Sequence, residues 1–98
     1  MANSMKSATF LMESRLAEAA SGDAEALYDL GIAYSTGSGG IDVDLIEAHK
    51  WFNLAALNGS EEAMTCRAEI SDEMTAREIA EAQKEARAWL SSIERRAA

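Results

Sequence analysis

Gly22-Asp23-Ala24-Glu25-Ala26-Leu27-Tyr28-Asp29-Leu30-Gly31-Ile32-Ala33-Tyr34-Ser35-Thr36-Gly37 reads as a helix with its own start and stop. Asp23 is an N-cap candidate, and Glu25 puts a negative charge in the first turn, where the helix dipole favours one. Leu27, Leu30, Gly31 and Tyr34 share one face at helical spacing. The run ends in Ser35-Thr36-Gly37-Ser38-Gly39-Gly40, a loop no helix tolerates. A second helix begins at Asp44. Asp44 with Glu47 three residues on is a variant of the capping box. Leu45, Ala48, Trp51, Phe52 and Ala55 form its apolar stripe, and Asn58-Gly59 closes it. The segment therefore reads as two helices folded back on each other.

Working outward, the chain supplies three more helices. One runs from Ser4 or Ser7 to Ala20, with Met5, Ala8, Met12, Leu16 and Ala19 on one stripe and Ser21-Gly22 as its stop. Phe10 and Leu11 fall partly off that stripe and are available to a second surface. A fourth helix starts at Ser60, with Glu61 and Glu62 in its first turn and Ala63, Met64, Ala68 and Ile70 as its apolar content. Thr75 with Glu78 is a second capping box. It opens a fifth helix whose stripe is Ile79, Ala82, Ala86, Trp89, Leu90 and Ile93. Arg95 and Arg96 read as a charged, solvated end that also suits the negative helix terminus. Met5, Met12, Met64 and Met74 sit mostly at helical spacing and are expected to pack in the core, and Cys66 is expected as a small buried thiol.

The totals agree with an all-helical domain. At 98 residues the chain suits one compact unit. Apolar residues form 48% of it and there is no proline, so disorder is excluded and close-packed helices are favoured. Valine, threonine and aromatics are scarce, which leaves strands without their usual material. The net charge of −8 opposes nucleic acid and anionic membranes as partners and favours basic ones. No run is long enough to span a bilayer and no secretory signal is present, so a cytoplasmic location is the expectation. A single cysteine forbids an internal disulfide.

The chain also repeats itself. Gly22-Asp23-Ala24-Glu25-Ala26-Leu27 matches Gly59-Ser60-Glu61-Glu62-Ala63-Met64 at an offset of 37 residues, and Glu47-Ala48-His49-Lys50 matches Glu81-Ala82-Gln83-Lys84 at an offset of 34. The difference of three falls in the inter-helix loop. A helix-turn-helix unit of this size cannot bury its stripe alone and must stack on a neighbour. Gly22-x-x-x-Ala26-x-x-x-Leu30-Gly31-x-x-Tyr34-x-x-Gly37 resembles the first helix of a Sel1-like repeat. Asp44-x-x-x-Ala48-x-x-Trp51-x-x-x-Ala55-Ala56-x-x-Gly59 resembles the second. The reading is a TPR/Sel1-like α-solenoid fragment of about five antiparallel helices. It has a packing helix over residues 4–20, a full repeat over 22–59 and a degenerate capping repeat over 60–94. In the second unit Arg67 stands where Leu30 stands, and Ser71 where Tyr34 stands, as suits a cap with a wettable outer face. Gly31, Ala48 and Ala55 are expected to let the paired backbones approach, and Trp51 and Phe52 to fill the space between units.

The resemblance implies a non-catalytic interaction module. In such repeats the first helix of each unit lines a concave face. Residues of that helix not spent on the core then face the groove: Glu25, Tyr28, Ile32 and Ser35 in the first unit, Glu62, Thr65, Glu69 and Asp72 in the second. Tyr28 and Ile32, one turn apart, would make an apolar step with an acidic rim. That suits a protein or peptide with an apolar anchor and basic flanks. The competing reading has Tyr28 and Ile32 packing against the first helix. A different role is a homo-oligomer or structural subunit sealed through Phe10, Leu11 and the apolar tail.

Catalysis finds no support. His49 is the only histidine, so a metal site or a His-based triad is hard to build. It is expected as a partly exposed surface residue. Only Arg67 is near Cys66 in sequence to activate its thiol. Gly37-Ser38-Gly39-Gly40 lacks the Lys-Ser/Thr of a phosphate loop, and no strand precedes it. The Glu-x-x-His pairs of helical metal sites are absent. No cofactor and no metal is expected.

Overall fold

The computed structural model describes the backbone of residues 2–97 and the side chains of residues 10–96. It contains α1 (Ala2–Ala20), α2 (Ala24–Thr36), α3 (Leu45–Leu57), α4 (Glu61–Ser71) and α5 (Ala76–Ala97), with a single 3-10 turn at Ser38–Gly40 in the glycine-rich loop. No strand occurs among the described residues. The side chains of Met5 and Ala8 lie outside the described residues, and the α1 stripe is represented by Met12, Leu16 and Ala19, which pack on the core.

The α1 helix starts at Ala2, earlier than the expected Ser4 or Ser7, and α2 to α5 start where their cap chemistry dictates. Asp23 accepts from the Glu25 and Ala26 amides, and Ser60 from that of Ala63. Thr75 and Glu78 form the full reciprocal box: Glu78 N–H donates to Thr75 Oγ1 at 3.1 Å and Thr75 N–H to Glu78 Oε1 at 2.8 Å. Asp44 caps α3 by accepting from the Glu47 amide. The Glu47 carboxylate does not return the bond. It is drawn to Lys50 and the Trp51 indole, so this box is half made.

The tightest pairing is between α2 and α3, and α3 is also the main support of both α4 and α5. Its faces divide the work. Ala48, Phe52 and Ala55 are buried together with Leu27 and Leu30 of α2. A Cβ built on Gly31 would fall within 3 Å of the Phe52 ring, so the missing side chain makes room for that ring. The expectation that Phe52 fills the gap between units is thus corrected: it closes the α2–α3 hairpin from within. Trp51 takes the inter-unit place, with its ring edge-on to Trp89 of α5 at a centroid distance of 4.8 Å. Ala82 and Ala86 of α5 are buried at the same time, which lets α5 lie close on α3.

Burial corrects four further expectations. Met64 is 50% exposed and Ala68 is exposed, because α4 turns only the face of Ala63, Cys66 and Ile70 inward. Cys66 is half-buried rather than enclosed. Leu90 projects outward beside the buried α5 stripe. His49 is corrected most sharply: it is 3% exposed, packed within the fold instead of on its surface.

Candidate functional site

The first turns of α2 and α4 lie side by side and leave an open groove of about 420 Å³. One wall is α2, through Ala24, Glu25, Tyr28 and Asp29. The other is Glu62 of α4, and Asn58, Gly59 and Ser60 of the α3–α4 turn close the end. Local chemistry fixes this arrangement. Gly59 takes φ +101°, the left-handed region open to glycine, and so turns the chain from α3 straight into α4. Asn58 Nδ2 donates to the Gly22 carbonyl at 3.3 Å, which ties that turn to the one before α2.

Tyr28 lines the groove from α2. Its ring rests on Phe52 with centroids 5.8 Å apart, so one part of the side chain belongs to the core and the other to the groove. Burial raises its phenol pKa, and the Cys66 thiol, Glu62 and Asp29 push in the same direction. Of the residues expected on the concave face, the structure brings Glu25, Tyr28 and Glu62 together. Ile32 is half-buried against the core cluster, and Ser35, Thr65, Glu69 and Asp72 do not line the groove. The Ser35 and Thr65 hydroxyls instead bond their own helices, at the Ile32 and Glu61 carbonyls.

Asp29, Asn58 and Ser60 were missed by sequence reasoning. Asp29 lies four residues after Glu25, and that spacing was the available signal for a shared face. Nothing in the local pattern could place the Asn58–Ser60 turn opposite α2.

His49 lies inside the fold. Burial lowers its pKa and the Arg67 guanidinium adds to the effect, while its Nδ1 finds no hydrogen-bond partner among the described residues. Arg67 itself donates to Asn53 Oδ1, and Ser71 Oγ donates to the Arg67 carbonyl. One residue on from His49, Lys50 sits 4.4 Å from the centroid of the Trp51 ring, 3.1 Å from Glu47 and 3.9 Å from Glu85. Burial and the adjacent Glu47 carboxylate raise the pKa of Glu85. These groups join α3 to α5.

A helical hairpin closed on a glycine, stacked between flanking helices, with its first helix open to a groove, is the design of a TPR-like repeat protein. Residues 24–60, the α2–α3 hairpin with the turn that follows, match the Sel1 repeat family. The chain therefore carries a Sel1 repeat, and such repeats generally mediate protein–protein interaction and are typically non-catalytic. No curated protein and no solved structure shows a match to the chain. Among the described residues no helix is long and apolar enough to cross a membrane.

Proposed function

We infer that this chain is a non-catalytic adaptor that holds a partner protein or peptide on the concave face formed by α2 and α4. The observation that carries this reading is the groove that gathers Glu25, Tyr28 and Glu62 from two successive units. Residues 60–94 act as its terminal cap, and the cytoplasm is its working compartment. Glu25, Tyr28, Ile32, Ser35, Glu62, Thr65 and Glu69 are the proposed partner-facing set, with the first two and Glu62 at its centre.

Site-specific photocrosslinking tests it. Benzoylphenylalanine is placed at Glu62, on the groove, and at Gln83, on the exposed side of α5. A defined partner band from position 62 and none from position 83 supports the reading. The reverse pattern removes it.

A second reading is self-association. Phe10 is 70% exposed on α1, and Leu11 beside it is also exposed. A paired α1 face would make the chain a structural subunit. Light scattering at two concentrations distinguishes the two: a mass that doubles with concentration favours the subunit, a constant monomer mass the adaptor.

A further inference from the structure

We propose that α4 is an acid-operated wall of the groove: a proton taken up by His49 releases α4 from α3 and carries Glu62 away from Glu25 and Tyr28. The movement needs no partner. Its consequence, release of a bound partner in acid, rests on the reading of this groove as the docking surface.

His49 is buried on α3, one turn before Asn53, and Arg67 of α4 donates to Asn53 Oδ1. Residues four apart share a helix face, so His49 lies on the side of α3 turned toward α4. Nothing there receives a proton well. His49 Nδ1 has no hydrogen-bond partner, and no carboxylate pairs with the ring among the described residues. Protonation would place an unpaired buried charge next to the Arg67 guanidinium, and burying such a charge is costly. Withdrawal of α4 removes the burial and the neighbouring charge together.

The hold on α4 is weak. Ala63 is its one buried residue, with Cys66 and Ile70 half-buried. By contrast α3 buries Ala48, Trp51, Phe52, Leu54 and Ala55 besides His49. An element with little buried apolar surface opens at a lower free energy than the core it rests on.

The other charges around α3 do not open it in acid. From α2 comes the Tyr34 phenol, near Glu47 and Asp44, and its pKa is raised above 10.0. From α5 comes Glu85, with Glu81 near it, beside Lys50 and Glu47. Because the Glu85 pKa is raised, falling pH tightens α5 on α3, the reverse of an acid-driven opening.

Hydrogen exchange on the full chain without a partner tests this, at about pH 7.5 and about pH 5.5, with each rate corrected for intrinsic amide exchange. A histidine released from the fold titrates near 6.5, so the open form gains up to about tenfold in population across that interval. The α4 amides should lose protection by up to that factor, while those of α2 and α3 change less. In His49→Gln the acid-induced loss should vanish. Arg67→Met keeps the histidine and should diminish the loss. His49 is the only histidine, so its ring proton signals report its titration directly, with a midpoint expected below 6.5. Unchanged α4 protection, equal loss in every helix, a loss that persists in His49→Gln, or a midpoint at or above 6.5 would each overturn the proposal. Should His49→Gln fail to fold, an undiminished response in Arg67→Met overturns it instead. Any of these failures leaves the adaptor reading to the crosslinking experiment, and failure of that experiment leaves the acid opening of α4 to stand by itself.

Discussion

The ring of Phe52 occupies the space that a side chain on Gly31 would need. The two residues are locked together. A helix interior normally disfavours glycine by about 0.8–1.0 kcal/mol relative to alanine, yet alanine cannot enter here without moving an aromatic ring that is 1% exposed. Overpacking of this kind costs roughly 1–3 kcal/mol. Gly31→Ala is therefore expected to lower the urea midpoint in spite of its better helix propensity. Phe52→Leu should reduce the additional cost of Gly31→Ala, and the coupling is read from the double-mutant cycle.

Removing the ring of Trp89 should loosen α5 before the rest of the molecule. Trp51 and Trp89 meet edge to face, and they join the last helix to α3 together with the small contacts of Ala82 and Ala86. Truncating a fully buried aromatic costs about 3–5 kcal/mol, and a half-buried one roughly half of that. In Trp89→Ala, hydrogen exchange of the α5 amides is expected to accelerate well ahead of that in α2 and α3. Uniform acceleration throughout would show that α5 does not open separately.

His49 gives stability a pH dependence with a definite sign. Its pKa in the folded chain lies below the ordinary 6.5, because burial and Arg67 both oppose a second positive charge. Its contribution is therefore complete above about 6.5 and is lost progressively as the pH falls toward the folded value. Urea midpoints should drop between neutral pH and pH 5. His49→Leu should flatten that decline, whatever its effect at neutral pH. Glu85 acts in the opposite sense. Its folded pKa lies above 4.5, so its contribution is present below 4.5 and is lost as the pH rises through the folded value. Once His49 has been replaced, any slope of reversed sign that remains in acid should vanish in Glu85→Gln.

Asp44→Ala should weaken the start of α3. Its carboxylate accepts from the Glu47 amide, and no returning bond from Glu47 shares the task. The expected loss is about 0.5–2 kcal/mol, measured by thermal unfolding. Because α3 supports α2, α4 and α5, the loss should appear as one cooperative shift in midpoint.

The local pattern was read correctly where the chemistry is local. Asp23, Asp44, Ser60 and Thr75 stand at helix starts because a short polar side chain there accepts from amides that would otherwise lack partners. The Gly22–Gly59 hairpin was visible because its glycines and alanines recur at helical spacing, and that segment includes most of the family match. His49 was misread for a physical reason. Glu47 and Lys50 beside it looked like a solvated face, but a helix packed on several sides has little such face left. Glu25, Tyr28 and Glu62 are legible in the sequence as residues of one face, whereas only the packing of α4 beside α2 brings Asp29 and the Asn58–Ser60 turn next to them.

Periodicity and capping, which act within a few residues, determined the presence of five helices, the starts of α2 to α5 and the pairing of α2 with α3. Which way each side chain of α3 faces, and so the division of Phe52 to the hairpin, Trp51 to α5 and His49 to the interior, was decided by tertiary packing. The same is true of the groove, since its two walls are separated by more than thirty residues of chain and meet only because the intervening hairpin closes over a glycine.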